Sequence, residues 1–146
     1  MIKAIKNTDL FCDYYENWIK VYKEGAVREI TLQKYKMTLS WIRKIVPTLQ
    51  LTNMNRIVYQ QILNEYALYH ERQTTMDFHH QLKGAILDAV DEGLIERDPT
   101  RKAIIKGINL IVVFTPSSAP FIKSLNISFF SFIPQINTTI IIIGTK

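Results

Sequence analysis

Residues 8–25 read TDLFCDYYENWIKVYKEG, and their apolar side chains return at three-four spacing. An α-helix turns once in about 3.6 residues, so this spacing places those side chains on one face. Thr8 is a suitable N-terminal cap and Gly25 a suitable stop signal. The segment therefore predicts an amphipathic helix over residues 8–23. Its apolar face comprises Leu10, Phe11, Tyr14, Tyr15, Trp18, Ile19 and Tyr22.

Three further segments show the helical period, over residues 31–46, 55–72 and 75–92. Each begins with a residue type that commonly caps helices, and the connections between the segments are short. The sequence thus predicts an all-α domain built as a four-helix bundle. The predicted caps are Thr31, Asn55 and Thr75.

The composition changes near Gly107, where we place the domain boundary. Of 18 Lys and Arg residues only Lys123 and Lys146 follow it, and none of the 13 acidic residues does. The segment after it has no helical period, and polar residues interrupt every window of the roughly 20 residues that a membrane span needs. We therefore predict a helical domain over residues 1–107 and an irregular, poorly ordered apolar tail over residues 108–146.

The chain of 146 residues carries a net charge of +5, and its charges are segregated. Residues 20–56 contain eight cations and two acids, whereas residues 57–98 contain three cations and eight acids. A net positive charge permits a polyanionic partner. The single cysteine, Cys12, excludes both a disulfide within the chain and a Cys-rich zinc site, and it suits the reducing cytoplasm.

The second predicted helix has one polar arc that carries cations and no acid. When the helix is projected at about 100° per residue, its apolar side chains fill a wide arc, and polar side chains occupy the remaining arc. Cations supply affinity for phosphates, and Gln and Ser bond either phosphates or base edges. The arc is therefore a candidate DNA-binding face; the alternative is a solvated bundle face, although such faces usually mix both signs. Its residues are Gln33, Lys36, Ser40, Arg43 and Lys44.

The fourth predicted helix offers a weaker version of the same pattern. His80 and Lys83 share one side near its start, and Thr75 is the predicted cap. The free N–H groups of a helix N-terminus also favour phosphate. The alternative is an ordinary exposed helix start.

The residue types and their spacings do not indicate a catalytic site or a metal site. His79 and His80 are adjacent and point about 100° apart on a helix, whereas a metal pair needs a spacing of three or four. Cys12 lies between aromatic core positions, which is typical of a buried structural thiol. The sequence has no glycine-rich phosphate loop and no convincing acid–base pair. We predict no metal, no cofactor and no small-molecule substrate.

Four motifs occur in order along residues 8–107. They are Phe11-x-x-Tyr14-x-x-x-Trp18, Thr31-x-x-x-Tyr35-x-x-x-Leu39, Leu49-x-Leu51-Thr52 and, over residues 89–100, AVDEGLIERDPT. In order and spacing they resemble the core-binding (SAM-like) domain of phage and transposon integrases of the tyrosine recombinase family. About two-thirds of the chain is covered by this resemblance.

The resemblance implies a four-helix unit that clamps one side of a DNA core site, while a following catalytic domain clamps the other. The starts of the second and fourth helices lie near the major groove in that family. This placement agrees with the candidates on the second helix, Thr31 included, and strengthens Thr75, His80 and Lys83 on the fourth. The resemblance also implies that Arg101 and Lys102 belong to a linker that runs along DNA. Double-stranded DNA is the implied partner, with other integrase protomers as possible further partners.

The chain departs from the family after Gly107, as if truncated before the catalytic domain. The family needs a His-x-x-Arg box and a terminal tyrosine nucleophile to act on phosphorus, and no His here has Arg three positions later. The resemblance therefore implies DNA binding in recombination and integration without catalysis. Three alternatives stay open: a helical protein-interaction module that seats a partner against Met37 and Trp41, a membrane-associated protein that uses its tail, and an inert remnant.

Overall fold

The computed structural model describes residues 9–112 and 140–144, with side chains described through residue 109. Four α-helices make up the bundle, which confirms the predicted all-α class. The elements are α1 (Phe11–Tyr22), α2 (Glu29–Ile45), a short 3-10 helix (Leu51–Asn53), α3 (Arg56–Ala67), α4 (Arg72–Asp91), β1 (Ile108–Val112) and β2 (Ile140–Gly144).

The apolar face of α1 forms one wall of the core. Five of its seven predicted members are buried, and Cys12 is buried between them; Leu10 is half-buried and Tyr22 lies on the surface. The backbone N–H of Phe11 donates to the Leu49 carbonyl at 2.8 Å, which ties the start of α1 to the segment after α2. The proposed cap Thr8 lies outside the described residues. Burial of these aromatic side chains supplies much of the hydrophobic driving force for the bundle.

Three predicted helix starts are wrong. Helix α1 begins at Phe11, after an extended Leu10, rather than next to the proposed cap Thr8. Helix α2 begins at Glu29 rather than near Thr31, and α4 begins at Arg72 rather than near Thr75. The backbone N–H groups of Thr31 and Thr75 already donate, at 2.9 Å each, to the carbonyls of residues 28 and 71, so both threonines lie inside the first turn. The hydroxyl of Thr75 donates to the Glu71 carbonyl at 3.1 Å instead of capping the helix.

Asn55 caps α3 as predicted. Its side-chain oxygen accepts hydrogen bonds from the N–H groups of Ile57 and Val58, each at 3.0 Å. These two donors have no partner within the helix, which is why an Asn at this position stabilises the first turn.

Replacing this cap gives a direct stability prediction. We expect Asn55→Ala to lower the free energy of unfolding by about 1 kcal/mol, because the two N–H groups lose their acceptor. Thr31→Ala is the control: it removes a side chain that caps nothing and places alanine, a better helix former, within α2. Urea unfolding followed by circular dichroism measures both variants. An equal loss in the two would contradict the assignment of Asn55 as the cap.

Helix α4 lies against the other three helices, and polar contacts fix its position. The hydroxyl of Tyr14 donates to the Ala85 carbonyl at 3.2 Å, and Nε1 of Trp18 donates to Asp88 at 2.6 Å. Toward α3, the hydroxyl of Tyr59 lies 2.8 Å from Nδ1 of His79. Toward α2, the Thr38 hydroxyl bonds to the Gln81 side chain. Each helix therefore meets α4 through a directional contact as well as through apolar packing.

The segment after α4 folds back onto α3 and the start of α4. The side-chain amide of Gln60 makes two hydrogen bonds with the backbone of Ile104, each of 2.9 Å. Gly107 lies so close to the backbone of Arg72 that a Cβ atom there would be 2.0 Å from its nitrogen. The N–H of Ile108 then donates to the His70 carbonyl at 3.0 Å. The chain therefore leaves the bundle beside the turn between α3 and α4.

Strand β1 pairs with β2 in an antiparallel ladder that joins Ile108 to Gly144 and Val112 to Ile140. No strand was predicted in this tail, although its isoleucine run has high β-propensity. The pairing partners lie 28 to 36 residues apart along the chain, so no short-range turn signal predicts the ladder. Within the described residues, the predicted irregular tail therefore contains one two-stranded sheet.

Candidate nucleic-acid interface

The polar arc of α2 lies on the protein surface. Helix α2 buries Leu32, Thr38, Leu39 and Ile42 against the bundle, and the opposite side therefore faces solvent. All five residues of the predicted arc are exposed, and we call them the α2 basic face: Gln33, Lys36, Ser40, Arg43 and Lys44. Thr31, the further candidate on this helix, is half-buried near the start of α2.

Acidic neighbours border the α2 basic face, a feature that the helix projection missed. Nε2 of Gln33 donates to Glu29 at 2.5 Å, and the guanidinium of Arg43 lies 2.8 Å from a carboxylate oxygen of Glu16. Glu29 precedes the predicted start of the helix, and Glu16 belongs to α1. Only the packing of α1 against α2 brings that second carboxylate to this surface.

Four of the five residues of the α2 basic face line two separate surface depressions. Lys36, Ser40 and Arg43 line a notch of about 290 Å³ between α1 and α2, which we call the α1–α2 notch. Lys20 lines the same notch from α1. Lys44 lines a separate groove between α2 and α3, and its ammonium lies 4.8 Å from the ring centre of Trp41. The cations of the α2 basic face therefore adjoin two different neighbouring helices.

The α4 residues do not join this face. Thr75 is fully buried, so its hydroxyl cannot reach a ligand on the surface. The prediction that Thr75 contacts DNA is therefore wrong. His80 and Lys83 are exposed. They lie about 100° and 160° around α4 from Gln81, the residue that contacts α2, and so they point away from that helix.

Arg101 and Lys102 form a second exposed basic cluster together with Arg56 at the start of α3. The three cations line a groove of about 460 Å³, which Gln60 and Ile104 also line. Arg56 was missed because it lies some 45 residues away in sequence, and only the return of the chain along α3 brings it close. The backbone of Lys102 has a φ of 61°, a left-handed conformation that places a tight turn beside the cluster.

The part of the chain with described side chains shows no group of three or more His, Cys, Asp or Glu side chains that could hold a metal ion. His79 and His80, adjacent in sequence, have ring centres 5.6 Å apart, and His79 bonds to Tyr59. No described helix is long and apolar enough to cross a membrane.

Two solved structures share this architecture. One is the N-terminal domain of the prophage pi2 protein 01, an integrase from Lactococcus lactis, at 29% sequence identity and a TM-score of 0.62; the similarity covers 66% of this chain and 91% of that one. The other is a fragment of a phage integrase from Staphylococcus saprophyticus, at 32% identity and a TM-score of 0.59, covering 66% of this chain and 87% of that one. No protein-family model and no curated protein sequence matches.

The four-helix fold and these two similarities define an integrase-type N-terminal domain. With 32% identity across 87% of the Staphylococcus fragment, the chain belongs to the phage integrase family. The family resemblance inferred from the sequence motifs is thereby confirmed, together with the four-helix fold that it implied.

Proposed function

We propose that this domain binds duplex DNA as the core-binding domain of a tyrosine recombinase, at the core-type sites used in site-specific recombination and DNA integration. The supporting observation is the α2 basic face, where Lys36, Ser40 and Arg43 are exposed together and Lys20 of α1 adjoins them. Its cations neutralise backbone phosphates, while Gln33 and Ser40 supply polar contacts that fix the register of the helix on the duplex.

The other exposed cations extend the proposed contact. Arg101 and Lys102, together with Arg56, offer a second group of charges where the chain leaves the bundle. His80 and Lys83 lie on a side of α4 that points away from α2, so we expect them to contribute less to DNA binding than the α2 basic face does. A domain that forms half of a clamp has few phosphate contacts, and we expect micromolar affinity at physiological salt with slight sequence preference.

The proposal includes no catalytic step in this chain. The sequence lacks the His-x-x-Arg spacing that the family uses, and several described tyrosines belong to the core rather than to an open site. Burial, for example, raises the pKa of Tyr66 to about 12, which disfavours the phenolate needed for attack on phosphorus. The domain would act in the cytoplasm, beside other integrase protomers.

Fluorescence anisotropy of the full chain on a duplex of about 20 bp tests the proposal across a salt series. We expect affinity to fall with salt on a log–log slope of roughly −3 to −5, which corresponds to several neutralised phosphates. A second duplex of equal length and scrambled sequence should bind with similar affinity. Absence of binding at the lowest salt would refute the proposal.

A protein-interaction role is the second candidate, and one surface favours it. The groove between α2 and α3 measures about 730 Å³ and is lined by Trp41, Ile45, Val58 and Tyr69. The rings of Trp41 and Tyr69 stack with their centres 6.0 Å apart, and Tyr69 remains half exposed. Exposed aromatic surface of this kind is common in protein contacts. Reversing the charge of Lys36, which lines the α1–α2 notch and not this groove, separates the two roles, because it should leave an apolar contact in the groove intact.

A further inference from the structure

The α1–α2 notch brings together three cations from two helices. Lys20 comes from α1, and Lys36 and Arg43 come from α2, with the Ser40 hydroxyl between the latter two in sequence. Ammonium and guanidinium groups bind phosphate strongly, and a guanidinium can donate two parallel hydrogen bonds to one phosphate. The notch therefore has the donor set of an anion site, and it includes one cation, Lys20, that the α2 basic face does not contain.

One carboxylate already forms ion pairs with two of these cations. The two oxygens of Glu16 lie 2.8 Å from the Arg43 guanidinium and 3.3 Å from the Lys20 ammonium. The hydrogen bond from Lys20, helped by the charge of Arg43, lowers the pKa of Glu16 and keeps it ionised. The side chains of Lys20, Glu16 and Arg43 are 58%, 36% and 49% exposed, so a ligand in solution can reach the pairs.

We infer that a DNA phosphate enters the α1–α2 notch and displaces Glu16 from Arg43 and Lys20, so that Glu16 acts as a built-in competitor of DNA. The inference rests on the proposed function and adds Lys20 to its contacts. Exposed ion pairs are weak and exchange readily, so a phosphate can displace Glu16, but two pairs must break together and their loss lowers the affinity for DNA. The released carboxylate then lies close to the phosphate and recruits a cation, which offsets part of the counterion release on binding.

Glu24 provides a matched control for this role. It lines the same notch and carries the same charge, but it forms no ion pair within 4.0 Å among the described residues. Glu16→Gln and Glu24→Gln therefore change the net charge of the notch equally. Only the first also frees Arg43 and Lys20 from a bound carboxylate.

Anisotropy titrations of the full chain on the 20-bp duplex compare the wild type with both variants. We expect Glu16→Gln to tighten binding by about tenfold at low salt and to steepen the log–log salt slope by about one unit, since no carboxylate is left to take up a cation. Glu24→Gln should give a smaller gain and an unchanged slope. Adding Lys20→Gln should weaken binding more in the Glu16→Gln chain than in the wild type.

Three results would overturn the inference. An equal increase in DNA affinity in the two variants would show that Glu16 acts only through the long-range effect of its negative charge. Weaker binding by Glu16→Gln, with an unchanged melting temperature, would show that Glu16 positions Arg43 for DNA rather than competing with it. Absence of binding by the wild type and both variants at the lowest salt would remove the proposed function as well, whereas the first two results leave that function standing.

Discussion

Reversing two charges on the α2 basic face, with Lys36→Glu and Lys44→Glu together, should weaken DNA binding by at least about a hundredfold. Each substitution removes an attraction to the phosphate backbone and introduces a repulsion in its place. Both side chains are exposed and lie on the solvent side of α2, so the fold should be retained. Anisotropy at low salt measures the loss, and circular dichroism verifies that the helical content is unchanged.

The comparison of single reversals makes this prediction specific to α2. Lys36→Glu and Arg97→Glu change the net charge of the chain by the same amount, but Arg97 follows α4 and lies outside the proposed contacts. We expect the first to cause most of the loss and the second to cause little. If both weaken binding equally, the interaction depends on net charge alone and the assignment to the α2 basic face is wrong. If the double reversal leaves DNA binding intact, the α2 basic face is not the DNA contact.

The sequence predicted the bundle because its strongest signals are local. The apolar period of α1 and the cap at Asn55 depend only on neighbouring residues, and both appear in the structure. The starts of α1, α2 and α4 were misplaced because they depend on backbone geometry instead of capping chemistry. Residues 10, 28 and 71 adopt an extended conformation immediately before these helices and make no side-chain cap bond.

In the candidate site too, some features follow from the local sequence and others depend on how the helices pack. The exposure of Lys36, Ser40 and Arg43 follows from the helical period of α2 alone. The ion pairs with Glu16 and the proximity of Lys20 depend on how α1 packs against α2, which no pattern within either helix specifies. The burial of Thr75 likewise results from the packing of α4. A sequence can therefore indicate which helix face carries charge. The carboxylates that pair with those charges from a neighbouring helix are visible only in the tertiary structure.

The largest stability effect is expected at the centre of α4, where Leu82 is fully buried. Leu82→Ala removes most of an apolar side chain from a packed core and leaves a cavity that the neighbouring helices can fill only in part. Such changes typically lower the free energy of unfolding by about 2–5 kcal/mol, a substantial part of the 5–15 kcal/mol of a typical domain. Urea unfolding followed by circular dichroism should show an earlier midpoint with an unchanged slope.

Leu68→Ala is the matched control, because it makes the same chemical change at a position that is 59% exposed. It should shift the free energy of unfolding by no more than about 0.5 kcal/mol, as surface substitutions usually do. A large gap between the two variants would show that α4 is packed at the centre of the bundle rather than laid along its surface. Similar small losses in both would contradict the central position of α4, and the separation of the α4 cations from the α2 basic face would then need to be reconsidered.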